Sequence, residues 1–481
     1  MRNFFITIDQ GTTSSRAILY DHQIKKIDTS QIELTQHYPK DGWVEHDLQE
    51  IWHSVLSCVK NLIDKNSLKP EEIISIGITN QRETVAVWDR KTQEPLAKAI
   101  VWQDRRTAGY CEKLRDDGVE AIIKEKTGLL LDPYFSASKI KWLKDSLNLK
   151  NDTNCLFGTI DTFLIWKLTD GKNFFTDVTN ASRTSLFSIK ECKYDEDLLR
   201  IFDLKDIELP EIKENADFFG ETKLFGGNIK ISGVAGDQQA ALIGQTGFDL
   251  GSVKSTYGTG CFLMLNTGKN LIQSKNKLLT TIGYKINGEI TYALEGSIFV
   301  AGSSIQFLRD KFKFFNSAEE SEKLASSADI DSKVYLIPAF TGLGAPHWKP
   351  DAKGAIFGLT LNSGINEIAL ATLEAIAFQT KELLEAMESD GAKISSIKID
   401  GGMSNNSFFS QLLADTLKKE IYKPQDIETT ALGAAYLAAI GSGFAKKEDL
   451  LDFWEIDKKY VPKKDLDSKF QNWQSYLKKL I

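Results

Sequence analysis

Residues 9–16 read Asp-Gln-Gly-Thr-Thr-Ser-Ser-Arg and lie between two apolar segments, 4–8 and 17–20. The pattern predicts strand, tight turn, strand, and the turn offers a glycine, four hydroxyl side chains and several backbone N–H groups. Such a turn can hold phosphate oxygens. The carboxylate of Asp9 fits beside an anion site if a cation lies between them, as magnesium does in a magnesium nucleotide. The alternative is an exposed hairpin whose hydroxyls serve local hydrogen bonds, and these residues alone favour neither interpretation.

Charged residues also follow two later apolar segments. Arg82 and Glu83 come after the strand-like segment 73–79, and Asp237 comes after the segment 229–236. Because ligand sites in sheet proteins form at strand ends, these residues are candidate donors and acceptors for a ligand. The alternatives are a surface ion pair between Arg82 and Glu83, worth about 0–1 kcal/mol, and a helix N-cap at Asp237.

A second hairpin repeats the opening pattern. The segment 253–257 leads into Gly258-Thr259-Gly260, and the apolar segment 261–265 follows. We therefore predict a domain boundary near residue 247 and two halves built on one plan, 1–247 and 248–481. Each half presents a phosphate-holding turn to a shared cleft. The alternative is an unrelated hairpin with flexible glycines.

Glycines and helices complete the pattern. Gly401 and Gly402 follow the strand-like segment 397–400, and a glycine pair lets a flat ligand such as adenine lie against the backbone. Thr429 is expected to cap a last buried helix. The lysine-rich tail is expected to be a surface-packed amphipathic end. Apolar residues at helical spacing predict further helices over 45–62, 108–147 (broken at 127–129), 300–308, 367–387 and 408–417.

Composition indicates a globular protein with more than one domain. The 481 residues carry a net charge of -7, with 42% hydrophobic and 26% charged, so disorder, nucleic-acid binding and membrane-surface binding are not indicated. The longest small-apolar run, 431–444, is shorter than the roughly 20 residues that span a bilayer. Five widely spaced cysteines without a CxxC pair argue against a disulfide framework or a zinc site. We expect no signal peptide and a cytoplasmic location.

Several common catalytic motifs are missing from the sequence. It contains no GxxxxGKS/T P-loop, no GxGxxG after a strand, no HExxH and no GxSxG. Its five histidines leave little material for a histidine metal site or a catalytic triad. The chemistry is therefore expected to rest on carboxylates and backbone amides.

In order along the chain, these motifs resemble the FGGY family of carbohydrate kinases, within the actin and Hsp70 ATPase superfamily. The likeness runs from Phe5 to about Phe453. It implies an α/β fold of two RNase H-like (actin-like ATPase) domains, in which mixed sheets flanked by helices surround a central cleft. The first half would hold the polyol site and the catalytic aspartate, and the second half the nucleotide. The motifs that carry the resemblance are Asp9 to Arg16, Asn80 to Glu83, Val101 to Thr107, Asp132 to Tyr134, Gly236 to Ala240, Tyr257 to Gly260, Phe340 to Pro346 and Asp400 to Gly402.

Within the family, Arg82 and Glu83 together with Tyr134 and Phe262 point to glycerol as the substrate. The resemblance then implies ATP-dependent phosphorylation of glycerol to sn-glycerol 3-phosphate, with Asp237 as the general base. Physical chemistry agrees, because a vicinal diol donates and accepts hydrogen bonds, and Arg82 and Glu83 supply a donor beside an acceptor. The implied substrate-binding residues, among which Trp102 and Phe262 wall the carbon chain, are Arg82, Glu83, Trp102, Tyr134, Asp237, Gln238 and Phe262.

ATP and Mg²⁺ are the cofactors that the resemblance implies. Asp9 is expected to hold the magnesium ion, largely through water. Phosphoryl transfer needs positioning and charge neutralisation above all, which turns of backbone N–H groups can supply. The implied nucleotide contacts are Thr12, Thr13, Ser14 and Arg16 from the first half and Thr259, Gly302, Gln306, Gly402 and Asn406 from the second.

Two other functions remain open at this point. One is an FGGY kinase for another sugar or polyol, such as a pentulose or gluconate. The other is an actin-like or Hsp70-like nucleotide switch, which has no use for Arg82, Glu83 and Asp237 together. We further expect a homodimer or homotetramer, no nucleic-acid partner and no membrane span. The stretch 224–230 lacks the arginine or histidine through which some family members are regulated, so neither control is expected.

Overall fold

The computed structural model describes residues 3–149, 154–349 and 351–481. Among these residues, no helix has the length and apolar character that crossing a membrane requires. The strands are β1 (Phe4–Gln10), β2 (Ser14–Asp21), β3 (Lys26–Glu33), β4 (Glu45–His46), β5 (Ile73–Asn80), β6 (Val85–Asp89), β7 (Ala99–Ile100), β8 (Cys155–Thr159), β9 (Phe175–Asp177), β10 (Phe187–Ser188), β11 (Lys193–Tyr194), β12 (Glu211–Lys213), β13 (Gly220–Thr222), β14 (Ile229–Gly236), β15 (Ser252–Tyr257), β16 (Cys261–Gly268), β17 (Leu279–Ile286), β18 (Glu289–Ile298), β19 (Tyr335–Ile337), β20 (Ala355–Phe357), β21 (Ser396–Asp400), β22 (Ile421–Pro424) and β23 (Ile456–Tyr460). The α-helices are α1 (Leu48–Lys65), α2 (Ala108–Asp116), α3 (Glu120–Thr127), α4 (Ser136–Ser146), α5 (Ile160–Leu168), α6 (Val178–Ala181), α7 (Glu196–Ile201), α8 (Asp237–Gly244), α9 (Gly302–Asp310), α10 (Glu320–Ser327), α11 (Ile365–Ser389), α12 (Ser407–Leu417), α13 (Thr429–Gly441), α14 (Leu450–Phe453) and α15 (Asp467–Leu477).

Two mixed sheets organise these elements, as the fold expectation required. The first has the strand order β13-β14-β5-β1-β2-β3, and the second has the order β17-β18-β16-β15-β21-β22-β23. Strands β13, β14, β5, β1, β2 and β3 correspond in order to β23, β22, β21, β15, β16 and β18. Each neighbouring pair has the same parallel or antiparallel orientation in both sheets. The repeat of one plan is thus confirmed in the strand order, while the division into 1–247 and 248–481 stays a prediction.

The candidate residues of the first half lie at one end of the central strands of the first sheet. Strands β1, β5 and β14 are parallel neighbours, and their registers pair Gln10 with Asn80 and Asn80 with Gly236. The chain therefore leaves all three strands at the same level. The first turn, Arg82 and Asp237 therefore lie together at the carboxyl ends of these three central strands.

Two helix starts differ from the sequence-based expectation. Helix α1 begins at Leu48 rather than at residue 45, because Asp47 caps its first turn and the residues before it form β4. Helix α13 begins at Thr429, but this threonine is not its cap. The Thr429 hydroxyl instead donates to the buried Asp400 carboxylate at 2.7 Å, so it ties α13 to the end of β21.

Helices α8 and α13 follow the equivalent strands β14 and β22 and pack against each other. Helix α13 also lies on one face of the first sheet, against β1, β5 and β14. Glycines permit the contact between the two helices. A Cβ atom on Gly433 would lie 1.8 Å from the carbonyl oxygen of Ala240, and one on Gly244 would lie 1.9 Å from that of Thr429. The two halves therefore meet through a backbone-to-backbone helix crossing.

The C-terminal tail packs as an amphipathic end, as predicted. Helix α15 buries Phe470, Trp473 and Leu477 in a cluster with β19. Trp473 donates from Nε1 to the carbonyl oxygen of Leu336 at 2.8 Å. Lys463, Lys464, Lys478 and Lys479 are exposed to solvent, whereas Lys469 is buried and pairs with Glu374.

Candidate active site

An ion pair joins the buried Arg82, after β5, to the partly exposed Asp237, after β14. Arg82 Nε lies 3.1 Å from Asp237 Oδ1, and the Arg82 side chain is only 2% exposed. Its Nε lies 3.9 Å from Glu83 Oε1, and the Glu83 side chain is buried as well. The interpretation of Arg82 and Glu83 as a surface ion pair is therefore wrong.

Asp237 combines burial with access to the cleft. It is the first residue of α8, and Gly236 occupies the N-cap position, so the N-cap interpretation is wrong too. Asp237 keeps 33% of its side-chain surface exposed. Burial raises the pKa of this carboxyl group, and the positive charges of Arg82 and Lys254 oppose the rise. A carboxylate in such a setting can accept a proton from a bound hydroxyl group.

Two further charged residues complete the cluster, and the sequence motifs did not predict them. Glu295, on β18, accepts from both terminal nitrogens of Arg82, at 2.6 and 3.0 Å. Arg183, which follows α6, donates to Glu83 at 2.5 Å and to Glu295 at 3.2 Å. Burial acts to raise the pKa of Glu295, but Arg183 and Arg82 lower it to about 2. The available signal was the charge of Arg82 itself, because a buried guanidinium needs a buried partner.

Three aromatic side chains stand beside the cluster. The ring centroid of Trp102 lies 5.6 Å from that of Tyr134 and 6.5 Å from that of Phe262, both in edge-on geometry. The guanidinium of Arg183 lies 5.6 Å from the Tyr134 ring. Trp102 Nε1 also donates to the Thr12 hydroxyl at 2.9 Å. The structure thus brings the predicted walls together and links them to the first turn.

Gln238 meets a buried lysine that the sequence analysis did not single out. Its amide oxygen accepts from Lys254 Nζ at 2.5 Å, and this lysine lies on β15 with no exposed surface. Lys254 Nζ also lies 3.4 Å from the carbonyl oxygen of Phe262. Burial lowers the pKa of Lys254, whereas Asp400 and Asp237 act to raise it. Lys254 therefore carries positive charge from the second sheet toward the carboxylate of Asp237.

The first turn is braced by an ion-pair bridge. Asp9 binds its register partner Arg16, and Arg16 also binds Glu428, directly before α13, at 2.5 Å. Burial raises the pKa of Asp9, and the charge of Arg16 opposes the rise. Because Glu428 comes from the second half of the chain, Arg16 connects the two halves. Thr12 and Ser14 are half-buried and Thr13 is exposed, so the turn presents hydroxyls at the surface.

The donor set at this turn fits Mg²⁺ held chiefly by water and phosphate. Mg²⁺ usually keeps several waters and uses one or two carboxylates together with substrate phosphates, and Asp9 supplies one carboxylate. Within the part of the chain that the structure describes, no group of three or more His, Cys, Asp or Glu side chains could hold a metal ion. The assignment of Asp9 to magnesium stays a prediction that depends on the nucleotide.

The second turn packs against the start of α9. The Thr259 carbonyl oxygen accepts from the N–H groups of Ala301 and Ser303, both at 3.0 Å. The N–H of Gly302 donates to the carbonyl oxygen of Gly258 at 2.9 Å. A Cβ on Gly302 would lie 2.5 Å from that oxygen, so the close approach requires glycine. Thr259 and Gly302 are therefore neighbours, as a shared phosphate site requires.

The remaining nucleotide candidates lie around the glycine pair. Gly401 has φ of +82° and passes directly beneath the backbone of Tyr257. A Cβ on Gly402 would meet no other described atom within 4 Å, so its backbone face is open to a flat ligand. Gln306 is exposed one helical turn beyond the start of α9. Asn406 caps α12 through its side-chain oxygen. The roles of Gln306, Gly402 and Asn406 stay predictions.

A buried histidine supports the first turn from below. His46 is 1% exposed; its Nδ1 lies 3.2 Å from Gln81 Nε2 and its Nε2 lies 2.9 Å from Gln36 Oε1. Gln36 in turn donates to the carbonyl oxygen of Thr12 at 2.6 Å. An amide donor at one ring nitrogen and an amide acceptor at the other match a neutral imidazole. Burial accordingly lowers the pKa of His46 from its ordinary 6.5 to about 4.

We expect His46→Gln to reduce the acid sensitivity of the fold. Between pH 6.5 and 4 the unfolded chain binds a proton at His46 that the folded chain rejects, so the free energy of unfolding falls as the pH falls. At pH 5 this term costs the wild type about 2 kcal/mol relative to pH 7. Urea unfolding of wild type and variant at both values tests the term. Equal losses in the two proteins would contradict it.

Comparison with known proteins agrees with this architecture. The model of the FGGY family of carbohydrate kinases, N-terminal domain, matches residues 4–244, and the model of its C-terminal domain matches residues 253–442. A glycerol kinase of Alteromonas mediterranea is 52% identical over 99% of this chain and 98% of its own length. A glycerol kinase of Rhizobium rhizogenes is 50% identical over 100% and 99%.

Solved structures extend the likeness. The crystal structure of Plasmodium falciparum glycerol kinase with ADP has a TM-score of 0.93 and 36% identity, and the match covers 100% of this chain and 98% of that one. A gluconate kinase from Lactobacillus acidophilus has a TM-score of 0.87 at 22% identity, over 100% and 97%. At that identity the second match supports the fold alone. The expected α/β fold with two domains and mixed sheets is therefore confirmed.

Proposed function

The chain belongs to the FGGY family of carbohydrate kinases, and on that basis we propose that it transfers the γ-phosphoryl group of ATP to glycerol, forming sn-glycerol 3-phosphate. The observation that carries this proposal is the cluster of the buried Arg82 and Glu83 with the partly exposed Asp237, beside the rings of Trp102 and Phe262. Relatives that share about half of this sequence are glycerol kinases. The family uses ATP, and the related structure from Plasmodium falciparum contains ADP.

The cluster can recognise a short polyol through paired donors and acceptors. Arg82 donates to one hydroxyl group, and Glu83 accepts from another. Asp237 takes the proton of the hydroxyl that attacks phosphorus. Because the cluster is buried, a substrate that leaves one of these groups unpaired is penalised. Trp102 and Phe262 bound the space left for the carbon chain.

The two turns would hold the nucleotide phosphates from opposite sides. Thr12, Thr13 and Ser14 offer hydroxyl and N–H donors from the first half, and the exposed Thr259 offers its hydroxyl from the second. Arg16 has N–H groups beyond the two that bind Asp9 and Glu428, so it can serve phosphate without releasing either carboxylate. When bound, Mg²⁺ neutralises phosphate charge, and Asp9 would hold it. A closed cleft excludes water and so suppresses ATP hydrolysis.

A coupled assay of ADP formation across a panel of polyols tests the proposal. We expect ADP release to depend on glycerol, with kcat/KM at least about 100-fold above that for a pentulose or gluconate, since mismatched hydroxyls leave buried groups unpaired. Faster turnover with one of those sugars would identify an FGGY kinase of another specificity. ADP release that is independent of every polyol would contradict kinase function altogether.

We also propose a cytoplasmic location and a homodimer or homotetramer. The widely spaced cysteines and the metabolic class of the relatives support the location. Sedimentation velocity of the purified chain tests the assembly. A monomer at micromolar concentration would contradict it.

A further inference from the structure

Arg183 contacts three side chains at the proposed polyol site: Glu83, Glu295 and Tyr134. It follows α6 and is fully buried. Its Nε donates to Glu83, its Nη2 donates to Glu295, and its guanidinium lies 5.6 Å from the Tyr134 ring. Through Glu295 it shares an acceptor with Arg82. Arg183 is thus the link that joins the donor and the acceptor of the diol site.

Glu83 needs contacts that hold it in place, because its backbone conformation is unfavourable. Its φ is +61°, in the left-handed region that costs a glutamate free energy. Such a conformation persists only where the surroundings fix it. The Ser136 hydroxyl holds the Glu83 carbonyl at 3.2 Å, and Arg183 holds the carboxylate. Backbone and side chain are therefore both fixed from outside.

Stability alone does not account for a guanidinium in this place. A buried ion pair recovers its desolvation cost poorly, and apolar residues of similar volume are commonly as stable. An arginine at this position, against the acceptor of the site, is better explained by its effect on Glu83.

We propose that Arg183 is a positioning residue that aims the Glu83 carboxylate at a substrate hydroxyl, so that it sets the preference for a vicinal diol. The inference rests on the proposed function. Arg183 acts through Glu83 and is not assigned a contact with the substrate. Glu295 balances the charge of Arg183 and Arg82 from the second sheet.

The charges around Glu83 determine in which direction its pKa should shift in each variant. The groups that face this carboxyl are Arg183, Arg82, Glu295, Tyr134 and Lys139. Burial raises the pKa of Glu83, Arg183 and Arg82 lower it, and Glu295 raises it. Without Arg183, Glu83 would be protonated at higher pH, and the acid limb of kcat/KM for glycerol would move upward. Without the charge of Glu295, the same limb would move downward.

The experiment compares Arg183→Met, Arg183→Lys and Glu295→Gln with the wild type by kcat/KM for glycerol between pH 5.5 and 9. For Arg183→Met we expect a loss of about 10- to 100-fold, as for a charge-assisted hydrogen bond, and an upward shift of the acid limb by about 1 pH unit or more. Arg183→Lys should recover part of both the lost kcat/KM and the pH shift. Glu295→Gln should shift the acid limb downward. In each variant the KM for MgATP should stay within about twofold of the wild-type value.

Opposite shifts cannot come from general loss of folded protein, which lowers activity equally at every pH. Unshifted limbs, or shifts in one direction in both Arg183→Met and Glu295→Gln, would overturn the inference. If Arg183→Met does not fold, Arg183→Lys and Glu295→Gln decide the question by the same profiles. A wild type that forms no ADP with glycerol refutes the proposed function instead, so the two failures are distinguishable.

Discussion

Asp237→Asn is expected to lower kcat for glycerol-dependent ADP formation by about 10²- to 10⁴-fold, the usual contribution of a general base. An amide cannot take the proton of the attacking hydroxyl, although it has nearly the shape of the carboxylate. Its oxygen can still accept from the N–H of Gln238, as the carboxylate does, and it can remain beside Arg82 Nε. The variant should therefore fold normally and lose the chemical step.

Affinity for ADP separates this outcome from a general defect. Because Asp237 lies outside both phosphate turns, calorimetric titration with MgADP should give nearly the wild-type dissociation constant. Asp415→Asn is a control: Asp415 is a buried aspartate on a helix, and it accepts from Gln411 and from the N–H of Lys463. Near-wild-type kcat in Asp237→Asn would refute the base assignment.

Local sequence patterns were sufficient to predict both hairpin turns. A glycine with hydroxyls between two β-rich segments is a short-range signal, and the registers of β1 with β2 and of β15 with β16 confirm it. The edge where Arg82 and Asp237 meet was also predictable. Both residues follow buried strands, and parallel strands end at a common level.

The partners of these residues were not predictable from local patterns. Glu295 lies 213 residues beyond Arg82, and Arg183 lies 100 residues beyond Glu83. No periodicity connects positions so far apart, because only the tertiary packing of the folded chain brings them together. For the same reason the pairing of Arg16 with Glu428, 412 residues away, follows from the fold rather than from the motif.

The errors at helix starts come from hydrogen bonds that the helical pattern does not reveal. The Asp47 cap and the short strand before it compete with helical spacing that begins at residue 45. Thr429 has the right side chain for a cap, but the buried carboxylate of Asp400 offers its hydroxyl a stronger partner. In both cases a hydrogen bond, rather than helix propensity, determines how the helix begins.

The crossing of α8 and α13 connects these separate features. Asp237 opens α8, and Glu428, which binds Arg16, directly precedes α13. The proposed general base, Asp237, therefore moves with α8, and Glu428, which braces the first turn through Arg16, moves with α13. Any change in the spacing of α8 and α13 displaces both at once.

Gly433→Ala tests that connection, and we expect it to lower the free energy of unfolding by about 3 kcal/mol or more, at the upper end for overpacking. The new methyl group would meet the Ala240 carbonyl oxygen at 1.8 Å. Helix α13 cannot retreat, because on its other side a Cβ at Gly77 would already lie 2.1 Å from the Ala434 carbonyl oxygen. In the matched control Gly109→Ala, where a Cβ meets no described atom within 4 Å, stability should instead rise by about 0.4–1 kcal/mol. The urea midpoints of the two variants should therefore move in opposite directions, and kcat should fall only in Gly433→Ala. An unmoved midpoint in Gly433→Ala would mean that α8 and α13 can separate freely.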